Sequence, residues 1–154
     1  MDDTTGGVLS IVRPVEVFEE FVAELLSRMG LAVHLTSQTR DGGRDILATM
    51  KSPVGELLTI VECKKNSPHR PVGIDIIERF LYTIREKDRA SLGLIATTSY
   101  FSADAQKEAS QYPWQLKLKD FEGLQGWLRL HGTYFEETKS GLWLPGYGNG
   151  KDSI

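Results

Sequence analysis

Residues 92–98 read LGLIATT, a short apolar run with no polar residue alternating through it. A strand that alternates keeps one face in water. A strand that does not is buried on both faces, as in parallel sheets covered by helices above and below. The rest of the chain supplies such helices. Pro14 suits a first helical turn, and Val15, Phe18, Val22, Leu25, Leu26 and Met29 recur at helical spacing before the stop at Gly30. Ile74, Ile77, Leu81 and Ile84 do the same in IDIIERFLYTIREK. Ser102 caps a helix over SADAQKEASQ, and Asp120 caps a last one to about His131.

The other strands are read from alternation and turn chemistry. Residues 31–39 alternate, RDGGR is a turn, residues 45–51 and 56–64 are strands joined by SPVG, NSPHRPVG is a loop and QLKL is a short strand. The order is αβββαβαβα. A meander of three strands followed by strand–helix alternation implies an α/β fold, a mixed sheet flanked by helices. Residues 1–13 form an N-terminal leader, 14–131 one domain and 132–154 a C-terminal arm or tail. In that tail Trp143 and Tyr147 either cover the core or meet a partner.

Composition narrows the class. At 154 residues, 40% hydrophobic and 25% charged, the chain fits one soluble globular domain with a core that needs no staples. Cys63 is the only cysteine, so no internal disulfide forms and a reducing cytoplasm is the expected setting. The acidic start MDDTTGG lacks the apolar stretch of a signal peptide, and no run is long enough to span a membrane. The net charge of −3 argues against a general polyanion binder. Its distribution says more: Arg40, Arg44, Lys64, Lys65, His69, Arg70, Arg79, Arg85, Lys87 and Arg89 gather in the middle of the chain.

The hairpin carries the chemistry. With SPVG as a four-residue turn, Lys51 lies opposite Glu56 and Asp45 opposite Glu62. Side chains alternate along a strand, so Asp45, Glu62 and Lys64 share one face. Two carboxylates directly opposed are destabilising unless something compensates. A divalent cation does so, and hard oxygen ligands suit magnesium. Lys64 then points at a phosphate or a water. A Glu-x-Lys pair alone is most often a solvated charge pair; Asp45 in register is what raises it above that. A further acid comes from the first helix. At about 100° per residue, Glu19 lies at the edge of the apolar stripe centred on Phe18 and Glu20 opposite it. Glu19 reaches toward the sheet or stays as a rim carboxylate.

The segments FEEFVAELLSRMG, TRDGGRDILA, VECKK and GLIATTSYFSADAQKEA together resemble the catalytic domain of Mrr-like restriction endonucleases. That family belongs to the PD-(D/E)xK nuclease superfamily, which also holds archaeal Holliday-junction resolvases. The resemblance runs from about Phe18 to Trp127. It implies a restriction-endonuclease-like fold and a magnesium-dependent DNA endonuclease, with manganese as a substitute, in restriction, phage defence or DNA processing. The family pattern falls on Glu19, on Asp45 of GRD, and on Glu62 and Lys64 of ECK. Asp45, Glu62 and Glu19 would hold metal. Many family members carry glutamine where this chain has Glu62. Asp41 is a turn-former first.

Arg44, Lys65, His69, Arg70 and Arg79 are candidates for DNA contact, with Arg85 beside them, although exposed loop and helix charges are the ordinary alternative. Thr97, Thr98 and Ser99 border the site in the family and suit a polar supporting role. Cys63 faces away from Glu62, into the core. His34, His69 and His131 have no zinc-ligand spacing, and DGGRD is no phosphate loop. Mrr-type proteins typically add a winged-helix domain that reads DNA. The expectation at this length is that specificity comes from a separate subunit or domain, a homodimer or DNA shape. The rivals are a non-catalytic DNA-binding or protein-interaction module with the same fold, and a resolvase-like nuclease.

Overall fold

A computed structural model of the chain describes residues 14–36, 46–131, 135–137 and 143–145. Helix α1 (Pro14–Arg28) is followed by β1 (Ala32–Leu35), β2 (Ile46–Ser52) and β3 (Gly55–Lys64). Then come α2 (Ile74–Tyr82), β4 (Leu92–Thr97), α3 (Ala103–Ala109), β5 (Leu116–Lys119) and α4 (Phe121–His131). This is the expected order. Two short strands, β6 (Phe135–Glu137) and β7 (Trp143–Pro145), pair antiparallel with each other inside the segment expected to be an arm or tail.

The five-stranded sheet has the order β1-β2-β3-β4-β5. Its first three strands are antiparallel neighbours, and β3, β4 and β5 are parallel. The β2–β3 register follows from the turn. Ser52 pairs with Gly55, Lys51 with Glu56, and the ladder runs to Ile46 and Val61. The Ser52 hydroxyl donates to the Gly55 carbonyl at 2.8 Å and accepts the Val54 amide at 3.2 Å. Gly55 has φ +134°, a conformation open to glycine and strained for other residues.

Two cores lie on the two faces of the sheet. On one, Phe18, Val22, Leu25 and Leu26 of α1 and Leu124 of α4 meet Ile46, Ala48, Val61, Cys63, Leu94 and Ala96. On the other, Ile77, Phe80 and Leu81 of α2 and Ala105 and Ala109 of α3 meet Ile60, Ile95 and Leu116. Burying each Val, Leu, Ile or Phe is worth about 1.5–3 kcal/mol. Strand β4 thus contributes to both cores, as LGLIATT required. Gly93 on β4 lets α2 approach: a β-carbon there would stand 2.7 Å from the Phe80 ring and 2.6 Å from Ile84 Cδ1.

One departure lies after α2. The helix expected through Lys87 changes at Thr83 into a π-helical turn, Thr83–Lys87. The Asp88 amide reaches back to the Thr83 carbonyl at 2.9 Å, and Arg89 follows with φ 51°. The wider turn ends the helix where Ile84 is buried against the sheet. Among the described residues no helix is long and apolar enough to cross a membrane.

Candidate active site

Strand β3 outruns the described part of β2. After Val61, paired with Ile46, come Glu62, Cys63 and Lys64, which pair on the other side with Ile95, Ala96 and Thr97 of β4. Alternation decides their direction. Val61 and Cys63 belong to the α1 core and Ile60 to the α2 core. Glu62 and Lys64 therefore project on the α2 side, and Cys63 is the core residue it was expected to be.

On that side the charges converge. Lys64 Nζ stands 3.0 Å from Glu62 Oε2, and an Arg79 guanidinium nitrogen from α2 stands 3.7 Å from the same oxygen. The Glu62 and Lys64 side chains keep 22% and 30% exposure, whereas Arg79 keeps 60%. One carboxylate oxygen thus collects two cations in a half-open position. That leaves a local excess of positive charge, which suits a phosphate. The approach of Arg79 to Glu62 was not visible in the sequence, which offered Arg79 only as a phosphate contact.

The other expected residues fall in different places. Glu19 is 1% exposed, among the most buried side chains, which rules out the snorkelling rim position. It sits on α1, the helix that packs against Val61 and Cys63, the face opposite Glu62 and Lys64. Glu20 keeps partial exposure. Asp45, Arg44, Arg40 and Asp41 lie outside the described residues. The β2–β3 ladder is the expected one up to Ile46, the first described residue of β2. Lys65, His69 and Arg70 are exposed on the loop leaving β3.

That loop is tied back to the sheet. The Asn66 side-chain amide donates to the Arg70 carbonyl at 3.2 Å, and the Arg70 amide to the Ser67 carbonyl at 3.0 Å. The Thr97 and Thr98 hydroxyls donate to the backbone carbonyls of Lys64 and Asn66, each at 2.7 Å. These bonds depend on the parallel pairing of ECK with IAT, a contact between distant segments. The pairing of a buried ATT with a charged strand end was the signal available.

Further along the same end of the sheet, the ammonium of Lys119 lies 4.5 Å from the centroid of the Trp127 ring on α4. Burial holds its pKa below the usual lysine value, and the neighbouring charge of Lys117 adds to this. A separate cleft between α2 and α3 is lined by Glu78, Tyr82, Arg85, Glu86, Glu108 and Tyr112. It carries three glutamates to one arginine and includes neither Glu62 nor Lys64.

Among the described residues no three His, Cys, Asp or Glu side chains cluster closely enough to hold a metal ion. Glu62 offers hard oxygens of the type magnesium prefers. Asp45, expected as its partner, lies outside the described residues. The donor chemistry of those two residues fits a divalent ion.

Comparison with known proteins agrees with this architecture. The Mrr catalytic-domain model, described as a restriction endonuclease, matches residues 14–128. The uncharacterized protein y4cE of Sinorhizobium fredii (strain NBRC 101917 / NGR234) is 31% identical over 130 residues, covering 82% of this chain and 32% of that protein. The chain therefore spans about a third of the length of that curated relative. The DNA modification-dependent restriction endonuclease AspBHI superposes with a TM-score of 0.60 at 26% identity, over 73% of this chain and 30% of that one. The MspJI restriction endonuclease, solved with a 27-mer oligonucleotide, gives 0.53 at 20% identity, over 73% and 27%.

Proposed function

The chain belongs to the Mrr catalytic-domain family of restriction endonucleases, of the PD-(D/E)xK type, and from that premise we propose that it is a metal-dependent DNA endonuclease that hydrolyses phosphodiester bonds. The observation that carries the reading is the convergence of Lys64 and Arg79 on Glu62 Oε2 at 3.0 and 3.7 Å, on one strand face at the open end of the sheet.

In this reading Glu62 and Asp45 hold magnesium, for which manganese can substitute. When bound, the ion polarises the scissile phosphate and acidifies a water. The chain's own residues do the rest. Lys64 orients the attacking water and offsets the charge that grows on the phosphate. Arg79, largely exposed, engages a neighbouring phosphate, and Lys65, His69, Arg70 and Arg44 follow the backbone of the DNA. Glu19 is a supporting acid. It lies on α1, which covers the face opposite Glu62 and Lys64. The enzyme would work in the cytoplasm, in restriction, phage defence or DNA processing. Selection of the DNA falls to a further domain, a partner subunit or a second copy of the chain, which would set two sites on the two strands of a duplex.

The test is cleavage of supercoiled, methylated and four-way-branched DNA with magnesium or manganese, by the wild type and by Asp45→Ala and Lys64→Ala. Methylated DNA belongs in the panel because AspBHI is named as modification-dependent. The expected result is metal-dependent cutting by the wild type and none by either variant. Binding without cutting on every substrate leaves the non-catalytic module as the better reading. Preferential cutting of the branched DNA makes the chain resolvase-like. Full activity in both variants moves the site elsewhere.

A further inference from the structure

Strand β4 ends in two adjacent threonines that hold two different pieces of the chain. Thr97 is fully buried. Its hydroxyl donates to the Lys64 carbonyl at 2.7 Å and accepts the Ser99 amide at 3.1 Å. The Thr97 and Ser99 hydroxyls stand 3.2 Å apart, and the Ser99 hydroxyl also reaches the Tyr100 carbonyl at 3.4 Å. Thr98 also reaches Lys64, through its amide at 3.2 Å, but its hydroxyl goes elsewhere. It donates to the Asn66 carbonyl at 2.7 Å and accepts the Asn66 amide at 2.9 Å. Asn66 passes the constraint on through its side chain to the Arg70 carbonyl at 3.2 Å.

The physical situation explains the pattern. The β3–β4 ladder reaches its last rung at Lys64 and Thr97. Beyond a last rung the backbone groups have no strand partner, and a strand end frays. Here hydroxyls add to that bonding: the Lys64 carbonyl accepts the Thr97 hydroxyl beside the Thr98 amide, and the Thr98 hydroxyl holds Asn66. The backbone of Lys64 is held as in mid-sheet, although its ammonium projects at the half-open edge. Two residues on, the start of the Lys65–Arg70 loop is clamped reciprocally at Asn66 by a different side chain.

We propose that Thr97 is a positioning residue for Lys64, and Thr98 a positioning residue for the loop carrying Lys65, His69 and Arg70. Two neighbours in sequence thereby govern different steps, Thr97 the turnover and Thr98 the grip on DNA. This rests on the nuclease reading above. A displacement well below an ångström at a group that orients a reacting water lowers rate without weakening binding, whereas a loosened loop weakens binding first.

The experiment compares Thr97→Val, Thr97→Ser, Thr98→Val and Thr98→Ser with the wild type. It uses steady-state cleavage of supercoiled plasmid in manganese, fluorescence anisotropy with a labelled duplex in calcium, and thermal unfolding as the check on folding. Thr97→Val is expected to lower kcat by about tenfold or more, with KM and duplex Kd within about twofold. Thr98→Val is expected to raise KM and Kd several-fold at nearly constant kcat. Serine restores each parameter. The Thr98 amide still reaches the Lys64 carbonyl in every variant, so that carbonyl is not orphaned. Should Thr97→Val not fold, Thr97→Cys takes its place, with the same expected fall in kcat. Unchanged kcat in a folded Thr97 variant, the same parameter moved by both valines, or no rescue by serine overturns the inference while the nuclease reading stands. A wild type that cuts no DNA overturns the nuclease reading and the inference with it.

Discussion

The ammonium of Lys64 and the carboxylate of Glu62, two residues apart on one face of β3, stand 3.0 Å from each other with Arg79 behind them at 3.7 Å. Neither side chain is buried deeply enough for the pair to be costly to break. Lys64→Ala should therefore change unfolding free energy by no more than about 1 kcal/mol. On the nuclease reading it should lower cleavage by about a hundredfold or more. Urea unfolding and plasmid cleavage on one preparation separate the two effects.

Arg79 makes a different prediction, because its side chain keeps 60% exposure. Arg79→Ala should weaken duplex binding about equally for unrelated sequences, as loss of a phosphate contact does. The slope of log K against log salt should fall by about one. A sequence-dependent loss would mean that Arg79 reads bases.

Gly93 is required by contact rather than by backbone conformation. A methyl group there meets Phe80 and Ile84 at 2.7 and 2.6 Å. Gly93→Ala should cost about 1–3 kcal/mol through overpacking. Ile84→Val removes the nearer of the two atoms, so the double variant should recover part of the loss. A double-mutant cycle by chemical denaturation measures that coupling.

Asp104 gives a pH dependence. The hydrogen bond from the Ser102 hydroxyl, 2.6 Å long, is the main reason that its carboxyl titrates below the ordinary 3.8. A carboxyl depressed on folding adds stability above its unfolded value and loses it as pH falls through the folded one. The stability difference between wild type and Asp104→Asn should thus be constant above about pH 4. It should shrink as the pH falls below that. Urea midpoints across pH 2–6 test this.

The β2–β3 register was legible because it is a local matter. Ser52 and Gly55 close the turn, and counting residues does the rest. The double burial of β4 was legible because LGLIATT has no alternation to satisfy. The placement of Glu19 was legible only in part. A helical wheel locates a residue around α1 but not which face of the sheet α1 will cover, and that choice sets Glu19 and Glu62 on opposite layers. The approach of Arg79 and the bonds of Thr97 and Thr98 lay beyond reach for the same reason. Arg79 meets Glu62 through the packing of α2 on the sheet, and the threonine bonds arise where β3 and β4, distant in the chain, pair in parallel. The π-helical turn is a packing compromise at Ile84 that helical spacing alone does not show.

Val61 and Cys63 interleave with Glu62 and Lys64 on β3, two side chains sealed under α1 and two held at the edge. The same few peptide units therefore belong to the centre of the molecule and to the edge that carries the candidate site. Local breathing cannot disarm such a site by itself, since releasing Glu62 means prising Cys63 from the core. The amides of these residues should exchange with deuterium only as slowly as the whole domain opens. Loss of function on heating should then coincide with global melting rather than precede it.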